Sequence, residues 1–535
     1  MEAKRPIISP KTLSVLLSAA VLFPVFVYPL GRFIFQDGTS AWSNEGLWEW
    51  FSDHGLVDIL VFTYSQAILS TLLSAGLGIW VAVLITENSK VWWARLLWSF
   101  SQVGFSLPAI LYVLAYLSVW GRSGVIGSWL LGSFQEFNPY GWTGILVAHT
   151  FFNFPVFVRI VGLALLERNQ QEEKAALSLG ASRWIVFRTM TLRKGWAAIR
   201  ESSALSFLYC SSSFLVVLLL GGGPRFTTIE VAIYESIKMN FDVGAASLLA
   251  GCHLLVFSLL YLSLSPSKRD VNRFSGEERM KLITFRPSIR RIHTVLMLFV
   301  VMMIAGLPLL TLVASILPHW NQLPWALIGW ATSITVCLAV VSGVIATILS
   351  FCVAYLGYTT SSLKVRRMIS LLSSLPVGIS TILSSAALWH AYPRVVDHFA
   401  FSFFAIAVLQ AIGSLPLLNR IFEVAFSRIA KSWRWTARSL GASEWQLLLT
   451  LEVPLMARSF LLALVWGVAF SLGEVGCVLV FLSDHMTTLG LEVFRMMGRY
   501  DFVGANVIGV WLLALMMVLY AVFARLEDEV QWRST

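Results

Sequence analysis

Side chains able to do chemistry are sparse in this sequence, and those present are scattered. Its eight histidines and five cysteines form no H-E-x-x-H pair and no metal-binding spacing. Cys210, Cys252, Cys337, Cys352 and Cys477 all fall in apolar runs and read as small core residues. No G-x-x-x-x-G-K-[ST] occurs. Gly221-Gly222-Gly223-Pro224 has no lysine close behind it, so it reads as a loop at a helix end rather than a phosphate cradle. His149 sits within an apolar run, where a hydrogen bond between helices is its expected role. Glu474, in FSLGEVGCVLVF, is the sharpest ionisable candidate. A carboxyl at that depth is costly, and it serves either a polar pathway or a bond to a neighbouring helix. Phe470 and Trp466 lie one and two turns before it on the same predicted helix, with ring faces suited to a passing cation. These three are the translocation-path candidates. Catalytic residues, a resident metal and a cofactor are not expected on this chain.

What repeats is mechanical in character. QQEEKAALSLGASRWIVFRTMTLRKG, residues 170–195, is a polar, basic island between apolar runs, and it returns at 431–456 as KSWRWTARSLGASEWQLLLTLEVPLM. Leu179-Gly180-Ala181-Ser182 and Leu440-Gly441-Ala442-Ser443 are identical at an offset of 261 residues. The same offset pairs Trp184 with Trp445, Pro155 with Pro416 and Arg159 with Arg420. So many identities at one spacing mark an internal repeat. Each island predicts a helix over 172–179 or 433–440, closed by a left-handed glycine, with Ser182 or Ser443 capping a second helix. Ser443 and Gln446 have the spacing of a capping box. A helix–turn–helix knob would thus protrude twice, and two equivalent knobs suit two equivalent partners.

The elements that carry these knobs follow from composition. The chain has 535 residues, 57% apolar and 13% charged, with a mean hydropathy of +0.76. A soluble protein carries about a quarter charged residues, so this is a polytopic membrane protein. Spans of about 20 apolar residues are expected near 13–35, 59–85, 96–120, 141–163, 202–220, 244–265, 293–317, 329–356, 368–391, 399–419, 459–482 and 504–524. That makes twelve helices, six per repeat. The basic start at Lys4, Arg5 and Lys11 precedes a run too long for a signal peptide, and it is read as a retained span.

Of the 39 Lys and Arg, one side of this layout holds only Arg32, Arg122, Arg225, Lys238, Arg394, Arg495 and Arg499. The positive side therefore carries both termini and both islands, and these are expected in the cytoplasm. The net charge of +10 is a topology signal spread over many loops, and nucleic acid is not an expected partner. The polar segment 266–291 separates the repeats, giving domains at 1–275 and 276–535 with their loops at 168–195 and 429–456. The repeats share one orientation, related by an axis along the membrane normal.

The islands resemble the EAA loop of permeases in bacterial ABC importers. Lys174 and Trp435 stand where that loop has its glutamate, and only the second copy keeps the late proline, Pro454. Fused two-repeat permeases of this layout resemble the iron(III) and thiamine branch of that family. Asn138-Pro139-Tyr140-Gly141 with GILVAHTFFNFP (144–155), and LGGGPRFTTIEVAIY (220–234), are similar to the members for thiamine and its pyrophosphate. The resemblance implies a type I permease fold, all-α, in the bacterial inner membrane. It also implies two cytoplasmic ATPase subunits, a periplasmic binding protein and alternating access driven by ATP. ATPase coupling would fall to Ala175, Ala176, Leu179, Gly180, Ala181 and Ser182, and to Ala437, Leu440, Gly441, Ala442 and Ser443. Lipid is the remaining partner. Ferric iron is the alternative substrate; an ion-driven secondary transporter is the other class, and it has no use for matched islands.

Overall fold

The computed structural model describes the chain except residues 1–8, 38–54, 89–90, 95–96, 99–100, 102–106, 123, 134–137, 167–174, 265–286, 319–324, 395–397, 482–486 and 535. Lys174, the break at 319–324 and nearly all of the 266–291 boundary thus lie outside the described residues. Among those described, every regular element is a helix. A chain this apolar must satisfy each backbone group within its own segment when no water is at hand, and the helix does so.

Among the described residues, eight helices are long and apolar enough to cross a membrane, and ten if each of two sharply bent pairs is one span. The expected count of twelve is not confirmed among these residues. Leu363–Gly378 and Thr381–Ala391 meet at 96°, after Pro376 and Gly378 have interrupted the run. The expected span at 202–220 is divided between Leu192–Ser211 and Leu215–Leu220, and the one at 96–120 includes the helix Ala109–Trp120, with residues 99–100 and 102–106 outside those described.

Two compact packing units result, neither contiguous in sequence. One comprises 51–231 and 259–317. In it Leu56–Glu87 lies along Trp142–Leu166 and Leu192–Ser211, while Leu307–Ala314 packs on Ala109–Trp120. Gly78 makes the first contact close: a Cβ there would fall 2.5 Å from that of Phe157. The other unit comprises 1–50, 232–258 and 318–535. Its long helix Trp325–Thr359 receives Phe399–Arg428, Ala457–Gly473 and the N-terminal Pro10–Leu22. Gly343 and Gly467 face each other at that crossing, a Cβ on Gly467 lying 3.0 Å from Gly343 Cα. The repeat is a unit of sequence; these are units of packing.

Candidate functional site

The second island is described throughout. Its helix, Lys431–Ser439, closes as Gly441 N–H donates to the Arg438 carbonyl and Ala442 N–H to that of Ala437, both at 3.0 Å. Gly441 adopts φ +84, the left-handed form that lets these two bonds coexist. Ser443 then caps the next helix: its Oγ accepts from Gln446 N–H at 3.2 Å, and Gln446 Oε1 accepts from Ser443 N–H at 2.8 Å. Glu444–Gln446 widens into a π-helical turn, Leu447–Glu452, where Thr450 Oγ1 donates to the Gln446 carbonyl at 2.6 Å. The chain then bends by 69° into Ala457–Gly473.

The first island, described from Ala175, repeats this plan. Gly180 N–H donates to the Leu177 carbonyl at 3.0 Å and Ala181 N–H to that of Ala176 at 3.1 Å, with Gly180 at φ +88. Ser182 Oγ accepts from Ile185 N–H at 3.3 Å. A π-helical turn, Phe187–Thr191, follows, and Thr189 Oγ1 donates to the Ile185 carbonyl at 2.6 Å. Both knobs present an apolar tip: Leu179 is 89% exposed and Leu440 83%. Ala175, Ser182 and Ser443 are also exposed, and Ala176, Ala181, Ala437 and Ala442 are half-buried. An exposed leucine on a rigid polar turn is a shape for insertion into a partner's groove.

Glu474 stands apart from the islands. It ends the helix Ala457–Gly473 instead of lying inside one, because the run Gly473-Glu474-Val475-Gly476 breaks the span before Gly476–Val480. Its Oε1 accepts from Thr381 Oγ1 at 2.7 Å and from Gly476 N–H at 2.8 Å. Thr381 opens the helix that follows the 96° bend, so one carboxylate joins two interrupted spans. A side chain at Gly476 would meet both groups, 2.7 Å from Thr381 Oγ1 and 2.9 Å from Glu474 Oε1. Trp466 is buried, and the Phe470 ring packs beside Gly413.

Comparison with known proteins bears on the whole chain. Residues 74–265 match the family described as the inner membrane component of binding-protein-dependent transport systems. A thiamine transport system permease protein, ThiP, of Haemophilus influenzae is 27% identical over 500 residues, 90% of each chain. ThiP of Escherichia coli is 28% identical over 520 residues, 92% of this chain and 91% of its own. Over about nine-tenths of its length the chain is thus similar to transport-system permeases, and residues 74–265 match the inner membrane component of binding-protein-dependent systems. A sulfate transport permease, CysT of Escherichia coli, is 27% identical over 264 residues, 94% of its length but 49% of this one.

Other features of the chain come together in ways the sequence did not announce. The two segments similar to thiamine permeases interlock: Gly141 N–H donates to the Leu220 carbonyl at 2.7 Å, and Tyr116 Oη donates to the Pro139 carbonyl at 2.9 Å. A Cβ on Gly141 would lie 2.9 Å from the Phe226 ring, and one on Gly222 would lie 3.2 Å from Tyr140 Cβ. Their spacing thus serves a fitted pair of loops. His149 has the expected interhelical bond, Nδ1 to Ser70 Oγ at 3.2 Å.

Two matched devices follow the threonine pairs Thr227-Thr228 and Thr487-Thr488, one in each half of the sequence. Thr63 Oγ1 accepts from Ile229 N–H at 3.0 Å, and Thr335 Oγ1 accepts from Leu489 N–H at 2.9 Å. In each case a long span caps the first amide of a short helix, Ile229–Lys238 or Leu489–Gly498. Those helices end on exposed aromatics with left-handed backbone, Phe241 at φ +55 and Tyr500 at φ +60. Asp242 and Asp501 follow at once as helix caps. The caps lie far apart in sequence, so only the threonines' polarity within apolar runs could have drawn attention to them.

Proposed function

We propose that this chain is the permease subunit of an ATP-driven importer for thiamine and its phosphates, with both termini and both islands in the cytoplasm. The observation that carries the reading is the pair of islands. The same glycine closure, serine cap, π-helical turn and exposed leucine occur twice, as two identical ATPase subunits would require. Hydrolysis belongs to those separate subunits, since this sequence has no phosphate-binding motif. A periplasmic binding protein would deliver substrate on the opposite side. ATP-driven closure would move the islands together and switch the spans between outward-open and inward-open states, with no covalent chemistry on the permease. The substrate class follows from the thiamine permeases to which the chain is similar over about nine-tenths of its length.

Along the path, Glu474 would offer its carboxylate, and Trp466 and Phe470 their ring faces, to the fixed positive charge of the thiazolium ring. The attraction must stay modest, because a tight site would trap a substrate that has to leave. The deciding experiment is uptake into proteoliposomes holding the permease, its ATPase and its binding protein. Labelled thiamine should enter only with ATP, in competition with thiamine pyrophosphate but not with ferric iron. Competition by ferric iron alone would move the substrate to the other branch. Uptake that needs an ion gradient and not ATP would remove the chain from this class of transporter.

A further inference from the structure

We propose that Arg434 is the positioning residue that fixes the second island to the membrane helices, so that a push on the island is transmitted rather than absorbed. This rests on the reading of the islands as ATPase contacts.

Arg434 lies on the island helix between Trp433 and Trp435, both exposed, yet only 13% of its own side chain is accessible. Its guanidinium reaches three other elements. Nε lies 2.9 Å from Oε1 of Glu452, a fully buried carboxylate at the end of the π-helical turn. The two pair by charge at that distance without the alignment of a hydrogen bond. Nη2 lies 3.5 Å from Glu444 in the capped helix, whose other oxygen is held by Arg438 at 2.6 Å. Arg434 Cζ stands 4.9 Å above the ring of Tyr358, in the last turn of Trp325–Thr359. That ring stacks at 4.7 Å on Phe426 of Phe399–Arg428. One cation therefore ties the island's entry helix to its exit helix and to one long span, whose Tyr358 ring passes the contact on to a second.

Stability alone does not account for such an arrangement. Removing two charges from water costs much of what their attraction returns, and apolar pairs of similar size serve as well or better. What the planar guanidinium adds is geometry, since it engages carboxylates at its edge and an aromatic ring on its face at once. A knob lacking this clamp could pivot about Gly441 and the π-helical turn while the spans stayed still. With it, island and spans move as one body.

The test uses the complete complex with its ATPase and binding protein, reconstituted and supplied with labelled thiamine. Arg434→Gln and Glu452→Gln are expected to keep the ATPase bound and hydrolysing. Thiamine moved per ATP hydrolysed should fall about tenfold. Arg434→Lys, which keeps the charge but not the fork, should fall between. Should the single variants fold poorly, the apolar pair Arg434→Met with Glu452→Leu restores a packed core and should be stable but uncoupled. A wild-type transport ratio in well-assembled Gln variants, or in the apolar pair, overturns the proposal. Loss of the ATPase from variants that are otherwise folded also overturns it, assigning Arg434 to docking. A wild-type complex that retains no ATPase would sink the island reading itself.

Discussion

The glycine closures of the islands permit a substitution series whose cost comes from backbone alone. A Cβ built on Gly180 or Gly441 meets nothing within 4 Å, so steric clash contributes nothing. What remains is the left-handed backbone, φ +88 and +84, where an L-residue costs roughly 1 kcal/mol or more. That corresponds to roughly a fivefold shift away from the native turn. Asn visits this region more readily than Ala, and a β-branched residue least of all. At Gly441 uptake should therefore fall in the order Gly, Asn, Ala, Val. Asp has the shape of Asn but places a negative charge at the C-terminal end of Lys431–Ser439, which adds about 0.3–1 kcal/mol and puts charge into the proposed ATPase groove. Asp should accordingly transport less than Asn. The assay is initial thiamine uptake at matched membrane levels, with copurification of the ATPase measured alongside. If Val transports as well as Gly with the ATPase bound normally, the turn's geometry is irrelevant to coupling and the reasoning fails.

Three further outcomes are expected. With the native cysteines replaced, Ser178→Cys and Ser439→Cys should be labelled only from the cytoplasm, and Asn240→Cys and Arg499→Cys only from outside; external labelling of the first pair would reverse the topology. Glu474→Gln keeps an oxygen that can accept from Thr381 and Gly476, so slower thiamine uptake at normal assembly would report the lost charge, whereas unchanged uptake would return Glu474 to a structural duty. Thr63→Val and Thr335→Val each leave a buried amide without its acceptor, at about 1–3 kcal/mol. Their Tm in detergent should drop while Thr→Ser stays near wild type, and equal Tm values for Val and Ser would show that the caps contribute nothing.

The islands were legible because their geometry is written locally. Gly441 and Ser443 act within a few residues of themselves, and the capping box with Gln446 is readable from spacing alone. His149 was legible for a different reason: a lone polar group in an apolar span must find a partner, whichever helix supplies it. The broken spans were not. Pro376 and Gly378 interrupt a run whose hydropathy is otherwise continuous, and hydropathy reports burial in lipid rather than helix continuity. Gly473 and Gly476 flank Glu474 and gave the one local sign of its break. Arg434 and Glu452 share one island, but Tyr358 meets Arg434 only after the chain has crossed the membrane and returned, and the partners of Thr63 and Thr335 lie farther off still. No window on the sequence brings such groups together.

The matched knobs have a consequence for how such a transporter can diversify. Their backbone is held by a few positions, the glycine, the serine cap and the threonine of the π-helical turn, which leaves the other side chains free to change without altering the shape. A permease assembled from two copies of one short chain must present the same surface twice, and every change in it is made twice. Here the surfaces are separately encoded. Lys174 and Trp435 already differ at corresponding positions. One knob can be tuned for grip and the other for timing, with neither change imposed on its sibling.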